Sequence, residues 1–275
     1  MVFESLATPW KAEKHPWEMF FFGFLYTSLA VALSIWIFRD YAGLISVFFT
    51  VMFCIPLMYN TLKWEEEKID YIDEEKSILK EHSGAIAFFF FLFLGMTFAF
   101  ATWYVVLPPA VSSSIFAVQS HTILAINGNY VGSSDLFMKI FFNNLKVLTF
   151  CILFSFFFGA GAIFILTWNA SVIAVAMGGV VKTYVLSADT SMFMSHLIGY
   201  SNATIRYMIH GIPEIMAYFV AALAGGIISV AIVRKDFLTK NFQKIAFDTS
   251  NLILISVLIL LVAGLIEAFI TPFFY

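Results

Sequence analysis

Charge is what this chain has least of. Asp, Glu, Lys and Arg make up 12% of its 275 residues, against roughly 25% in soluble domains. A formal net charge of -3 leaves no basis for a nucleic-acid partner. No cluster of four or more Lys or Arg flanks an apolar run, so a patch for anionic lipid is missing too. Cysteine is nearly absent. Cys54 and Cys151 both fall inside apolar runs, which excludes a disulfide framework, a reactive thiol or a metal-ligand pair. The sequence contains no HExxH, no Walker A and no GxSxG motif, and no acid and histidine motifs paired as in intramembrane proteases. It therefore predicts no enzyme, no catalytic residue, no cofactor and no metal. The first 17 residues carry Glu4, Lys11, Glu13 and Lys14 between Pro9 and Pro16, unlike a cleavable signal, so the first crossing is expected to stay in the mature protein.

What is present is hydrocarbon. Hydrophobic residues reach 61%, with 34 Phe, and the mean hydropathy is +0.91. The predicted fold class is all-α: a polytopic transmembrane helix bundle of six to seven crossings with short interfacial or re-entrant helices. At about 20 residues per crossing, seven helices leave room only for short loops. The crossings are expected near Met19 to Phe38, Gly43 to Leu62, Ala85 to Leu107, Asn144 to Trp168, Ala170 to Leu186, Tyr207 to Val233 and Asn251 to Ile270. Two parts are expected: residues 1–82, a two-helix extension with an acidic connector, and residues 83–275, the main membrane domain.

Lys and Arg set the expected direction. With the N-terminus inside, Lys63, Lys68, Arg234, Lys235 and others give the inner side twice the positive charge of the outer side, which holds Arg39, Lys139, Lys146, Lys182 and Arg206. This predicts a multi-pass protein of the cell membrane with a cytoplasmic N-terminus and an external C-terminus. The tryptophans fall near the expected interfaces, Trp168 on the inner side among them. Between the second and third crossings, Lys63 to His82 is dense in charge and free of Gly and Pro, so it extends the second helix. Its Glu65, Glu66 and Glu67 are candidates for docking a partner; a solvated helical face is the alternative reading. On the other side, Ser114 to Ile126 and Met192 to Ile198 are too short to span and read as elements capping the bundle.

Polar residues in the crossings form stripes. His210, Glu214, Ala217, Ala221, Gly225 and Ser229 recur at helical steps and share one face. Ala170, Ala174, Gly178 and Lys182 repeat the pattern, as do Asn143, Cys151, Ser155 and Gly159, with Gly161 following. Small residues permit close helix packing and ionisable groups avoid lipid, so these faces are expected to meet. The candidate buried cluster is His210, Glu214, Glu267, Asn143, Asn144 and Asn169. Packing is assigned to Gly159, Gly161, Gly178, Ala217, Ala221 and Gly225. A hydrogen bond between His210 and Glu214 would make a proton relay or part of a cation site, to which His196 adds a further ligand; satisfying backbone groups freed by Pro213 is the structural alternative. The sequons at Asn169 and Asn202 are short patterns, and only Asn202 is expected outside.

From about Phe142 onward the chain resembles the stage II sporulation protein M family. The residues that carry this are IFFNNLKV with Asn143 and Asn144, GAGAIFILTWN ending at Asn169, HGIPE at His210 to Glu214 followed by AALAGG, and AGLIEAFITP at Ala263 to Pro272. The resemblance implies a polytopic helical membrane protein. In spore formers the family member is a membrane scaffold for a wall-degrading complex active in engulfment. The first two crossings lie outside the shared region, so a sporulation role is not carried over. The expected function is a non-enzymatic scaffold or assembly component for envelope remodelling or membrane trafficking, with membrane lipid and protein partners or further copies of itself. The alternative is a proton- or cation-coupled transporter or channel using the His/Glu cluster.

Overall fold

The structure is a computed structural model and describes residues 14–69, 80, 82–126, 133–158, 161–187, 191–233 and 240–271. Among these, no strand occurs and the chain is almost continuously helical. The helices are α1 (Glu18–Ile37), α2 (Ala42–Ile69), α3 (Ser83–Val106), α4 (Pro109–Ile115), α5 (Ala117–Ile126), α6 (Ser133–Phe158), α7 (Ala162–Ser187), α8 (Met192–Val233) and α9 (Lys240–Leu265), which runs into a π-helical turn at Ile266–Ile270. Seven of them, all but α4 and α5, are long and apolar enough to cross a membrane. This is a multi-pass membrane bundle. Phe21, Trp36, Phe48, Phe150, Phe157 and Leu254 remain exposed on its outside, as expected where the surrounding solvent is lipid.

Several boundaries differ from those the sequence suggests. The fourth crossing does not run from Asn144 to Trp168. It ends at Phe158, and α7 begins at Ala162. Gly159 lies outside the described residues, and Gly161 is a half-buried turn residue instead of a helical packing position. Glycine costs about 1 kcal/mol relative to alanine within a helix, so a Gly-Ala-Gly run is a natural place to stop, although hydropathy cannot register it. Asn169 and Trp168 accordingly sit within α7, and Trp168 packs against a cluster containing Phe100 and Phe116. Met192 to Ile198 is no separate capping element. It is the start of α8, whose 42 residues run through Pro213 without a break. Asn251 falls inside α9, which starts at Lys240. The short elements after Pro108 are α4 and α5.

Close packing relies on absent side chains at a few crossings. At Gly23 a Cβ would strike the Leu92 carbonyl of α3, and at Gly95 it would lie 2.9 Å from the Phe24 nitrogen of α1. Gly225 lets α8 approach the Ile152 carbonyl of α6, which a Cβ would meet at 2.6 Å. Gly178 accepts the Tyr104 ring, at 2.5 Å from such a Cβ. Ala217 and Ala221 are fully buried in the central core, where α8 meets α3, α6 and α9. Several hydroxyls inside the bundle bond back to their own helix: Ser34 donates to the Ala30 carbonyl at 2.6 Å and Thr97 to the Phe93 carbonyl at 2.9 Å. Such bonds satisfy groups that lipid would leave stranded. Lys182 is handled differently. Its ammonium donates to Ser112 at 3.0 Å and lies 3.8 Å from the centre of the Tyr104 ring, tying α4 to α7.

Glu65 and Glu66 are also inside. Glu65 is fully buried and pairs with the equally buried His82, while Glu66 is 3% exposed. The expected docking surface is therefore not presented by these two acids. They close the junction between α2 and α3, with Asp248 of α9 within electrostatic range of His82 and Lys244. Only Glu67 of the three is partly exposed. Residues 70–79 and 81 of the acidic connector lie outside the described residues.

Candidate functional site

After the turn at Gly161, α6 packs mainly on α8 and α7 on α3 and α8 alike, while α6 and α7 pack much less on one another. The wedge left between them, backed by α8 and reached by Glu267 beyond the end of α9, is a cavity of about 490 Å³. His210, Glu214, Glu267, Asn143, Asn144 and Asn169 all line it, but of this cluster, expected to be buried, only Asn144 is: Asn143 is exposed at the rim and the other four are half-buried, because they face open volume. Helical periodicity explains the convergence. Residues 210 and 214 share a face of α8, neighbours 143 and 144 project from α6, and residue 169 from α7. The π-helical turn advances Glu267 into the same space; such turns insert an extra residue per loop and recur at functional sites.

Glu214 is the most elaborately held of these groups. The Tyr218 hydroxyl donates to its Oε1 at 2.8 Å, and the Asn144 side chain hydrogen-bonds to it as well. Glu267 lies close enough for the two carboxylates to act on each other electrostatically. The predicted bond between His210 and Glu214 is not made. His210 Nδ1 instead faces the Thr271 hydroxyl at 3.3 Å, while Tyr218, one turn beyond the acid, holds the carboxylate. Asn143 donates to the Asn144 carbonyl oxygen at 3.4 Å, and Asn169 to the Ile165 carbonyl at 2.8 Å. His196 is absent from the cavity lining, half-buried, and bonded to its own helix at Met192. Among the described residues, no three His, Cys, Asp or Glu side chains are grouped to hold a metal ion.

The cavity has two distinct boundaries. Its α6 lip carries exposed Met138, Lys139, Phe142, Asn143 and Lys146. The other is packed: beyond Glu214 on α8, Ile215, Ala217, Tyr218 and Phe219 are all buried, as are Leu148 and Cys151 of α6. Tyr218 is the last polar group in that direction on the cavity face of α8 before Ser229. Four contributors escaped the sequence reading. Tyr218 and Thr271 resemble ordinary apolar-segment residues, although the spacing of Glu214 and Tyr218 one turn apart is a usable signal. Lys139 and Lys146 enter the sequence argument only through the charge count, since no periodicity links them to the distant α8.

Such an arrangement can bind or share protons, hold a cation between carboxylates, or recognise an amide-bonding group in a low-dielectric space. It offers no assembled nucleophile and base. A family model described as Stage II sporulation protein M matches residues 85–272, which leaves α1 and α2 outside the matched stretch. No curated protein and no solved structure matches the chain.

Proposed function

The chain belongs to the stage II sporulation protein M family, and from that premise we propose that it is a non-enzymatic membrane scaffold or assembly component for envelope remodelling or trafficking. One observation carries the reading. Past Glu214 toward the far end of α8 the bundle turns apolar: Ile215, Ala217, Phe219 and, on α6, Leu148 are all at most 3% exposed, and Tyr218 is the last polar side chain on α8 before Ser229. A conducting bundle needs polar groups or water along its whole length, whereas a recognition or assembly site needs access from one side only. Partners in this reading are proteins or further copies of the chain, within membrane lipid. The orientation is that favoured by the Lys and Arg distribution, with the N-terminus cytoplasmic, the C-terminus external and the cell membrane as location.

The carboxylate pair favours a second reading, proton- or cation-coupled transport, because acids kept at such depth commonly mark ion pathways. The two separate cleanly in experiment. Crosslinking in the native membrane followed by purification in lipid should recover a recurrent protein partner or a second copy. Recovery of the protein alone, together with proton or cation flux in proteoliposomes that disappears in Glu214→Gln, would replace assembly with transport.

A further inference from the structure

Two spaces of contrasting chemistry meet at Gly211. One is the polar cavity of about 490 Å³; the other, beyond α8, is an apolar groove of about 460 Å³ lined by Ile86, Phe90, Ile212, Met216, Val220 and Ile259. A narrow apolar gap of about 10 Å³ lies between them, its lining sharing Ile173, Tyr207 and Gly211 with the cavity and Phe90 and Ile212 with the groove. Gly211 borders both the cavity and the gap. A Cβ built there would meet nothing within 4 Å, so this glycine does not serve close helix packing as Gly225 does.

We propose that this track binds one amine-bearing phospholipid, with its ammonium group between the carboxylates of Glu214 and Glu267 and a hydrocarbon chain laid past Gly211 into the apolar groove. Two carboxylates in a low-dielectric space repel unless a proton or cation lies between them, and an ammonium brings three donors to the site. Asn143 from α6 and Asn169 from α7 also line the cavity, each with an amide oxygen as a further acceptor. A small cation would satisfy the acids but would leave the apolar continuation without a purpose. Lys139 and Lys146, exposed on the α6 lip, supply the positive charge that a phosphate next to the amine requires. The cavity opens between helices that both cross the membrane, so lipid can enter sideways.

This inference goes beyond the assembly reading and stands or falls separately from it, since partner recovery does not report on lipid. The full chain, purified in detergent, would be titrated in native mass spectrometry with dioleoyl phosphatidylethanolamine, dioleoyl phosphatidylglycerol and soluble phosphoethanolamine. One phosphatidylethanolamine should bind about tenfold more tightly than phosphatidylglycerol, a difference of about 1.4 kcal/mol. Glu214→Gln with Glu267→Gln should abolish that preference. Gly211→Leu, which fills open space without striking backbone, should weaken both lipids while the protein stays folded by circular dichroism and gel filtration. Equal binding of the two lipids would overturn the proposal, as would unchanged binding in Gly211→Leu. Soluble phosphoethanolamine binding as tightly as the lipid would overturn the placement of the chain and leave a water-soluble amine as the ligand.

Discussion

Glu65 and Glu214 are two acids enclosed by one apolar bundle, and their surroundings differ. Glu65 sits against His82 where α2 meets α3, both side chains without any exposed surface. Glu214 lies elsewhere along the bundle; Leu62, one turn before Glu65, packs on Gly226 of α8, twelve residues beyond Glu214. Glu214 has Tyr218 and Asn144 on one side and open volume on the other. A buried acid matched to one base in a filled site does structural work at a junction. An acid held in place by donors, yet facing a cavity beside a second acid, is arranged for something that can enter. The comparison teaches that what surrounds an acid separates the two roles: Glu65 is sealed against its partner, whereas Glu214 is half-buried at the edge of open volume.

It can be tested by substitution at each end. The largest effect belongs to the filled site: Glu65→Ala or His82→Ala leaves one partner buried without its match and should destabilise the fold by about 3–5 kcal/mol, read as a fall in the thermal unfolding midpoint in detergent. If either variant unfolds like the parent, the junction role is wrong. Next comes Gly225→Leu, which forces a side chain against the Ile152 carbonyl and should cost about 1–3 kcal/mol by overpacking. Its counterpart Gly211→Leu should cost far less, and equal losses at the two glycines would erase the difference between packed and open faces. Tyr218→Phe removes a hydrogen bond to the Glu214 carboxylate and should lower stability by about 1.5–3 kcal/mol, with Glu214→Gln smaller because the amide can still accept from Tyr218. Smallest is Lys146→Gln on the exposed lip, expected within about 0.5 kcal/mol of the parent. A large loss there would mean that the lip is part of the fold.

Much of the architecture is legible in the sequence because lipid is an undemanding solvent to read: long apolar runs have few alternatives to crossing it. The convergence of His210, Glu214, Glu267 and the three asparagines follows from the same logic, since polar side chains on separate helices are all driven from lipid toward one interior. What could not be read depends on partners distant in sequence or on breaks made of apolar residues. The turn near Gly161 is as hydrophobic as the helices it separates. Met192 to Ile198 looks like a cap because the polar residues that follow it interrupt the hydropathy before Tyr207, yet one helix runs through them. Glu65 and Glu66 read as a solvated charge run because burial was decided by His82, on the far side of the connector. Tyr218 carries too little polarity to stand out within EIMAYFV.

At a rise of 1.5 Å per residue, the 42 residues of α8 form a rod about 63 Å long, about twice the thickness of bilayer hydrocarbon. Glu214 sits near its middle. A force applied to the Met192 end therefore reaches the cavity along a continuous helical shaft, with no loop to absorb the displacement and with Pro213, one residue before the acid, as the natural point of flexure. In mechanical terms α8 is a lever, and the acid pair lies beside its fulcrum.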